Sequence, residues 1–125
     1  MNIVDSSCWL EYLMGTGIGV NVAQIVENSG ELIVPTITLY EVYKKLLAEK
    51  GEEYALAVAS YMQNGMVIEL NADLSLSAAR ISQRQKLPMA DSIIYATSLN
   101  YSAVIFSCDK HFKDIPGIRY FPKTQ

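Results

Sequence analysis

The chain has 125 residues, half of them hydrophobic, which is enough for one sizeable core. Its formal charge is −3, so it lacks the positive excess of proteins that hold nucleic acid by bulk electrostatics, and any such contact must be local or helped by metal. Its apolar runs, such as Ala55–Ala59, are far shorter than the roughly 20 residues that span a bilayer. We therefore expect a single domain over residues 1–125 that does not enter a membrane.

The first part of the chain alternates short β-prone runs with helical periodicity. Asn2–Val4 predicts a strand, and Asp5-Ser6-Ser7 predicts the start of a helix that Gly15-Thr16-Gly17 ends. A second helix is expected before Asn28-Ser29-Gly30, and Leu32–Val34 is the next predicted strand.

The remaining elements repeat these patterns, with two helices in succession after the second strand. In chain order we expect a helix between Pro35 and Gly51, a helix over Glu52–Gln63, a strand over Met66–Leu70, a helix capped by Asp73 and running to Lys86, a helix with Pro88 in its first turn and running to Asn100, a strand over Ala103–Phe106, and an edge strand containing Ile118, Tyr120 and Phe121. Alternating strands and helices predict an α/β fold with a central parallel sheet of about four to five strands flanked by helices.

The N-terminus and the cysteines indicate a cytoplasmic protein. Met1–Asp5 has an acid within five residues and no basic leader before an apolar run, so it does not resemble a secretory signal. Cys8 and Cys108 are far apart in sequence and lack the close spacing of a zinc or disulfide framework. We expect them to be buried thiols.

Two acids follow predicted strands, where α/β sheets bind their ligands. Asp5 comes directly after Asn2–Val4, and Asp109 comes shortly after Ala103–Phe106. If these strands are neighbours in the sheet, both carboxylates lie at the same edge. The alternative for each residue is that it only caps a helix or a turn.

Asp91 and Glu41 are the other candidate site acids. Asp91 lies within an otherwise apolar and small helical segment, where a charge needs a partner such as a divalent cation. The alternative is a solvated helix face or a contact with the helix dipole. Glu41 completes a capping box with Thr38, but it also lies early in a helix that follows a strand. Four converging acids would repel one another without cations between them, and oxygen-rich sites suit Mg²⁺ or Mn²⁺.

Four motifs span essentially the whole chain in a characteristic order. They are Ile3-Val4-Asp5-Ser6-Ser7, Thr38-Leu39-Tyr40-Glu41-Val42, Ala90-Asp91-Ser92-Ile93-Ile94 and Ser107-Cys108-Asp109-Lys110-His111-Phe112. With these motifs the chain resembles the PIN-domain ribonucleases, and within them the VapC-type toxins of prokaryotic type II toxin–antitoxin pairs. Ser107 stands where a threonine is more usual, which keeps the hydroxyl.

The resemblance implies a PIN-like fold and metal-dependent hydrolysis of RNA phosphodiester bonds, in a toxin that inhibits translation or growth. It implies that Asp5, Asp91 and Asp109 hold Mg²⁺ or Mn²⁺, and that Glu41 ligates through water or helps to remove a proton from it. All four acids are therefore predicted catalytic and metal-binding residues.

Hydroxyl and basic residues are candidates for supporting roles. Ser6 and Ser107 would fix the orientation of carboxylates or contact metal-bound water. Arg80, Arg84 and Lys110 are candidates for binding the phosphates of RNA, although a solvated helix face is the alternative for the two arginines.

The same resemblance implies two protein partners, a cognate antitoxin that inserts a basic side chain near the acids and a second copy of the chain. Tyr40, Tyr43, Tyr54 and Tyr61 would offer surface for a homodimer, with burial in the core as the alternative. His111 is the single histidine, and acid–base cleavage without metal would need a second titrating partner that the sequence does not supply.

Two other function classes are open. A phosphoacceptor signalling domain is also a small α/β fold with acids at strand ends, but two successive helices after the second strand fit it poorly. A PIN domain that binds RNA or protein without cleavage is the second alternative, against which the four acids argue. Metal-dependent cleavage of RNA separates the three.

Overall fold

The computed structural model, which describes residues 1–123, is an α/β fold with a five-stranded parallel sheet. The strands are β1 (Asn2–Val4), β2 (Leu32–Pro35), β3 (Met66–Ile68), β4 (Val104–Ser107) and β5 (Ile118–Tyr120). The helices are α1 (Ser6–Met14), α2 (Gly17–Glu27), α3 (Thr36–Lys50), α4 (Glu52–Met62), α5 (Ala72–Gln85) and α6 (Met89–Tyr101), with 3₁₀ turns at Ser29–Glu31 and Lys110–Phe112. The predicted fold class is confirmed. Thr124 and Gln125, with which the predicted domain ends, lie outside the described residues.

The order of the strands places β1 at the centre of the sheet. The sheet runs β3-β2-β1-β4-β5, and Ile3 of β1 pairs with Ile33 on one side and Ile105 on the other. The strands that follow β1 in the chain, β2 and β3, therefore lie on one side of it, and the later strands β4 and β5 lie on the other side. In open α/β sheets this reversal opens a crevice beyond the carboxyl ends of the two strands, which here are β1 and β4.

Helices cover both faces of the sheet because apolar side chains alternate across it. Ile3, Ile33 and Ile105 pack on one face with Ile94 of α6, and Val4, Val34 and Phe106 pack on the other with residues of α1 to α4. All of these side chains are buried. β1, β2 and β4 are thus largely buried from both sides, whereas the edge strands β3 and β5 are partly exposed.

The bounds of four strands differ from the prediction. β2 extends to Pro35, and β5 ends at Tyr120, before Phe121. The strand expected over Met66–Leu70 ends at Ile68, since Ile68 pairs with Pro35, the last residue of β2, and no partner strand continues beyond it. β4 includes Ser107, which pairs with Tyr120 of the edge strand β5. The sheet itself therefore fixes the backbone of Ser107.

The start of α5 also differs from the prediction. Asn71, and not Asp73, caps the helix, because its Oδ1 accepts the backbone N–H of Leu74 at 2.9 Å. Asp73 lies in the first turn, where its charge favours the helix dipole. Both residue types are good caps, so the position had to come from the three-dimensional structure.

Cys8 and Cys108 are buried and free, as the sequence predicted. Within residues 1–123, no helix is both long and apolar enough to cross a membrane.

Candidate active site

Asp5 is held rigidly at the carboxyl end of β1. It is 2% exposed, and its Oδ1 accepts the Ser7 hydroxyl at 2.6 Å and the backbone N–H of Cys8 at 3.1 Å, while its Oδ2 accepts the Ser107 hydroxyl. Burial raises the pKa of Asp5, and the three hydrogen bonds oppose that rise. Asp5 therefore caps α1, as in the structural alternative, and also lies at the sheet edge that the site hypothesis requires.

Asp109 lies beside Asp5 because β4 is the neighbour of β1. Its Oδ1 accepts the backbone N–H of His111 at 2.9 Å, which caps the 3₁₀ turn, and contacts the imidazole Nδ1 of His111 at 2.8 Å. Its own N–H donates to the Ser107 hydroxyl at 2.9 Å. Ser107 thus joins the backbone of Asp109 to the carboxylate of Asp5.

Asp91 is the buried acid that lacks donors. It lies in the first turn of α6 and is 7% exposed, and its Oδ2 has no hydrogen-bond partner among residues 1–123. The Nδ1 of His111 is 3.4 Å from this oxygen. Burial, followed by the charges of Asp109 and Asp5, raises the pKa of Asp91 to about 7, against the opposing effect of His111. The solvated-face alternative for Asp91 is therefore wrong.

Glu41 does not form the capping box that the sequence suggested. α3 begins at Thr36, with Pro35 at the cap position, and the Thr38 hydroxyl is buried without a partner. Glu41 instead accepts the Ser6 hydroxyl at 3.0 Å through its Oε1. Because Ser6 directly follows Asp5, this hydrogen bond ties the start of α3 to the carboxyl end of β1.

The structure groups the predicted site residues unequally. One ligand atom from each of Asp91, Asp109 and His111 lies within 4.8 Å of the others. The charge of Asp109 contributes to the raised pKa of Asp5, and the charges of Asp109 and Asp5 contribute to the raised pKa of Asp91. Glu41 is linked to this group through the hydrogen bond from Ser6.

In the part of the chain that the structure describes, no hydrogen bond or ion pair joins the predicted phosphate-binding residues to the acids. Arg80 and Arg84 are exposed on α5, and Arg80 donates to Ser77 of the same helix at 3.4 Å. Lys110 is exposed in the 3₁₀ turn, between Asp109 and His111.

Two residues at the site were not assigned to it from the sequence. Ser7 holds Asp5 and accepts the N–H of Cys108 at 3.1 Å, and His111 lies against both Asp91 and Asp109. The sequence carried a local signal for each, since a hydroxyl and an imidazole each stand two positions after an acid. Only the fold brings Asp91 to His111, twenty positions away.

The chemistry of these side chains fits a divalent cation. Asp91 Oδ2 is a buried carboxylate oxygen without a donor, beside the carboxylate of Asp109 and near that of Asp5. An uncompensated charge of this kind costs several kcal/mol, which a bound cation offsets. Oxygen donors of this type suit Mg²⁺ and Mn²⁺.

The structure resembles several solved toxin structures. It matches a toxin–antitoxin complex from Klebsiella pneumoniae at 20% identity and a TM-score of 0.76, over 94% of this chain and 95% of that chain. It matches the sarcin-ricin loop cleaving toxin VapC20 of Mycobacterium tuberculosis at 18% identity and a TM-score of 0.79, over 98% of this chain and 100% of that chain. It matches DNA-bound VapBC of Salmonella typhimurium at 19% identity and a TM-score of 0.71, over 97% of this chain and 98% of that chain. At such identities the likeness shows the fold.

Sequence comparison provides the family. A search of curated protein sequences gives no match. The model of the PIN domain matches residues 3–118, which include the strand-end acids, α6 and the turn after β4. On this match over nearly the whole chain, the protein belongs to the PIN domain family.

Proposed function

We propose that the chain is a metal-dependent endoribonuclease that hydrolyses RNA phosphodiester bonds. The observation that carries the proposal is the unpaired, buried Oδ2 of Asp91 beside the carboxylates of Asp109 and Asp5, at the crevice between β1 and β4. Asp5, Asp91 and Asp109 would hold Mg²⁺ or Mn²⁺, with Glu41 at the side of the site. A divalent cation in such a site activates water and neutralises charge that develops on the phosphate.

The protein's own contribution is orientation and proton transfer. The three donors to Asp5 hold both of its oxygens in place, so that this carboxylate does not reorganise during the reaction. Asp109 is held through the N–H of His111. Glu41 is less buried than Asp5 and Asp91, and the hydrogen bond from Ser6 orients its carboxylate, which would take a proton from the attacking water.

A groove beside these hydroxyls supports binding of an RNA backbone. It has a volume of about 920 Å³, and apolar side chains, Ser6 and Ser7 contribute to its lining. Its charged residues are Lys45, Lys50, Lys123, Glu11 and Glu49, of which Lys45 and Glu49 form an ion pair at 2.7 Å, so Lys50 and Lys123 are the candidates for contacts with phosphates. Lysines bind phosphates, so a strand that lies in the groove would pass next to the serines that hold Asp5 and Glu41. Arg80, Arg84 and Lys110 keep their predicted phosphate-binding role as part of the same proposal.

We propose further that the chain is the toxin of a toxin–antitoxin pair and acts in the cytoplasm on translation or growth. Three similar structures support this: one is a toxin–antitoxin complex, one is a toxin that cleaves the sarcin-ricin loop, and one is a VapBC complex bound to DNA. The partner would be a cognate antitoxin. An acidic pocket such as that of Asp5, Asp91 and Asp109 favours a basic side chain from that partner.

A homodimer is the second proposed assembly. Tyr40, Tyr54, Tyr61 and Leu56 are exposed on α3 and α4, whereas Tyr43 is half-buried against the core. Exposed aromatic side chains on adjacent helices favour a protein interface. Sedimentation analysis of the wild type and of Tyr40→Glu tests this assembly, and a monomeric wild type at high concentration would refute it.

Cleavage of a mixed RNA pool tests the proposed activity. The purified chain is incubated with Mg²⁺, Mn²⁺ or EDTA, in parallel with Asp5→Asn, Asp91→Asn and the control Asp114→Asn. Asp114 is an exposed acid with a φ of 69°, a conformation that asparagine also adopts. We expect cleavage with metal, none with EDTA, loss in the first two variants and retention in the control.

The fold of each variant is checked by circular dichroism. Cleavage that persists in EDTA, or in folded Asp91→Asn, would contradict the proposed chemistry. A folded wild type that binds RNA but cleaves none under any condition would favour a PIN domain that acts as a binding module.

A further inference from the structure

We propose that His111 is a nitrogen ligand of the divalent cation, and that it makes the site prefer Mn²⁺ to Mg²⁺. This inference rests on the proposed metal dependence and adds one residue and one selectivity to it. The four acids offer carboxylate oxygens to a cation, whereas His111 offers an imidazole nitrogen.

The position of the imidazole supports this role. Its Nδ1 lies 2.8 Å from Oδ1 of Asp109 and 3.4 Å from Oδ2 of Asp91. In an octahedral site with bonds of 2.0–2.1 Å, neighbouring ligand atoms are about 3 Å apart. The distances from Nδ1 to the two oxygens bracket that value, and one ligand atom from each of the three residues lies within 4.8 Å of the others.

The unpaired oxygen of Asp91 is the second observation. Asp91 is 7% exposed, and its Oδ2 has no hydrogen-bond donor although Nδ1 of His111 is near. The contact between Nδ1 and Asp109 leaves this oxygen without a proton to accept. A cation between Oδ2 of Asp91, Oδ1 of Asp109 and Nδ1 of His111 would give all three atoms a partner. The hydrogen bond between His111 and Asp109 gives a partner to only two of them.

Transfer of the imidazole proton from Nδ1 to Nε2 would allow this exchange. An imidazole with its proton on Nε2 offers the lone pair of Nδ1 to a metal. The side chain of His111 is 58% exposed, so it has room for small rotations. Asp109 keeps the backbone N–H of His111 as a donor during any such rotation.

The selectivity follows from the ligand type. Carboxylate and water oxygens suit both Mg²⁺ and Mn²⁺, but Mg²⁺ is bound through oxygen, whereas divalent first-row transition metals such as Mn²⁺ also accept nitrogen ligands. A site of oxygens alone would hold Mg²⁺ and Mn²⁺ by similar chemistry. The nitrogen of His111 shifts the preference towards Mn²⁺.

Pulsed electron paramagnetic resonance on the Mn²⁺-loaded chain tests the proposal without any cleavage assay. His111 is the single histidine of the sequence, so an imidazole ¹⁴N coupling to bound Mn²⁺ has one source. We expect this coupling in the wild type, its loss in His111→Ala, and its retention in the control Lys113→Ala, which alters an exposed residue of the same loop. His111→Ala keeps the backbone N–H that holds Asp109.

Titrations with Mn²⁺ and Mg²⁺ measure the selectivity. We expect His111→Ala to weaken Mn²⁺ binding by about tenfold or more and Mg²⁺ binding much less. Mn²⁺ that binds the wild type without imidazole coupling would overturn the role of His111 and leave the proposed nuclease in place. A wild type that binds no Mn²⁺ would overturn both the ligand role and the metal dependence.

Discussion

Asp91→Asn is expected to stabilise the metal-free protein at neutral and alkaline pH. The folded chain holds the Asp91 carboxylate away from water and beside Asp109 and Asp5, which raises its pKa from 3.8 to about 7. Between these two values the folded chain retains a proton that the unfolded chain has lost. Stability therefore falls as the pH rises through this interval and levels off above it.

The magnitude follows from the size of that rise. One pKa unit corresponds to about 1.4 kcal/mol, so the ionised Asp91 destabilises the folded chain by an amount on the order of 4 kcal/mol. Between pH 5 and pH 8 the expected loss of wild-type stability from this residue is about 2 to 3 kcal/mol. Asp5, whose pKa is also raised, contributes in the same direction. Asparagine carries no charge, so the variant lacks the destabilisation that the ionised Asp91 causes in the wild type.

Urea unfolding in EDTA at several pH values measures this effect for the wild type and for Asp91→Asn. We expect the variant to be the more stable at pH 8 and the difference to shrink towards pH 5. Addition of Mn²⁺ or Mg²⁺ should stabilise the wild type and have little effect on the variant. A variant that is less stable than the wild type at pH 8 in EDTA would refute the reasoning.

Three further predictions concern other parts of the chain. Gly19→Ala should destabilise the protein by about 1 to 3 kcal/mol or more, since a Cβ there would lie 2.2 Å from the carbonyl oxygen of Glu11; unchanged stability in urea would argue against this close approach of α1 and α2. Asn71→Ala should cost about 1 kcal/mol through loss of the α5 cap and leave RNA cleavage unchanged, which melting curves and the RNA assay check. Ser6→Ala should lower RNA cleavage less than Glu41→Gln does, because it removes only the hydrogen bond that orients Glu41; equal losses would assign Ser6 a larger role.

The sequence predicts most of the fold because its signals are local. Asn2–Val4 and Leu32–Val34 are short β-prone runs with a helical pattern after each, and such runs predict a buried parallel sheet. The boundaries that moved depend on distant partners. Ile68 ends β3 because β2 ends at Pro35, and no pattern within Met66–Leu70 contains that information.

The candidate site was predictable in its acids and less so in their contacts. Asp5 and Asp109 could be placed at one sheet edge because each follows an apolar strand. The partner of Glu41 could not be predicted, since Thr38 offered a local capping box and Ser6 is thirty-five positions away. The contact of His111 with Asp91 could not be predicted either, since it requires α6 and the turn after β4 to meet at the sheet edge.

Asp5 and Asp91 illustrate how two buried acids in one site differ in what they require of the fold. Asp5 accepts hydrogen bonds from Ser7, Cys8 and Ser107, whereas Oδ2 of Asp91 accepts none. Hydrogen bonds to charged acceptors contribute about 1.5 to 3 kcal/mol each, so replacing Asp5 weakens contacts that replacing Asp91 does not. In EDTA at pH 8, Asp91→Asn should therefore be more stable than Asp5→Asn by an amount on the order of 2 kcal/mol. Equal stabilities in urea would mean that the donors around Asp5 do not compensate its burial, and that both carboxylates depend on the cation alike.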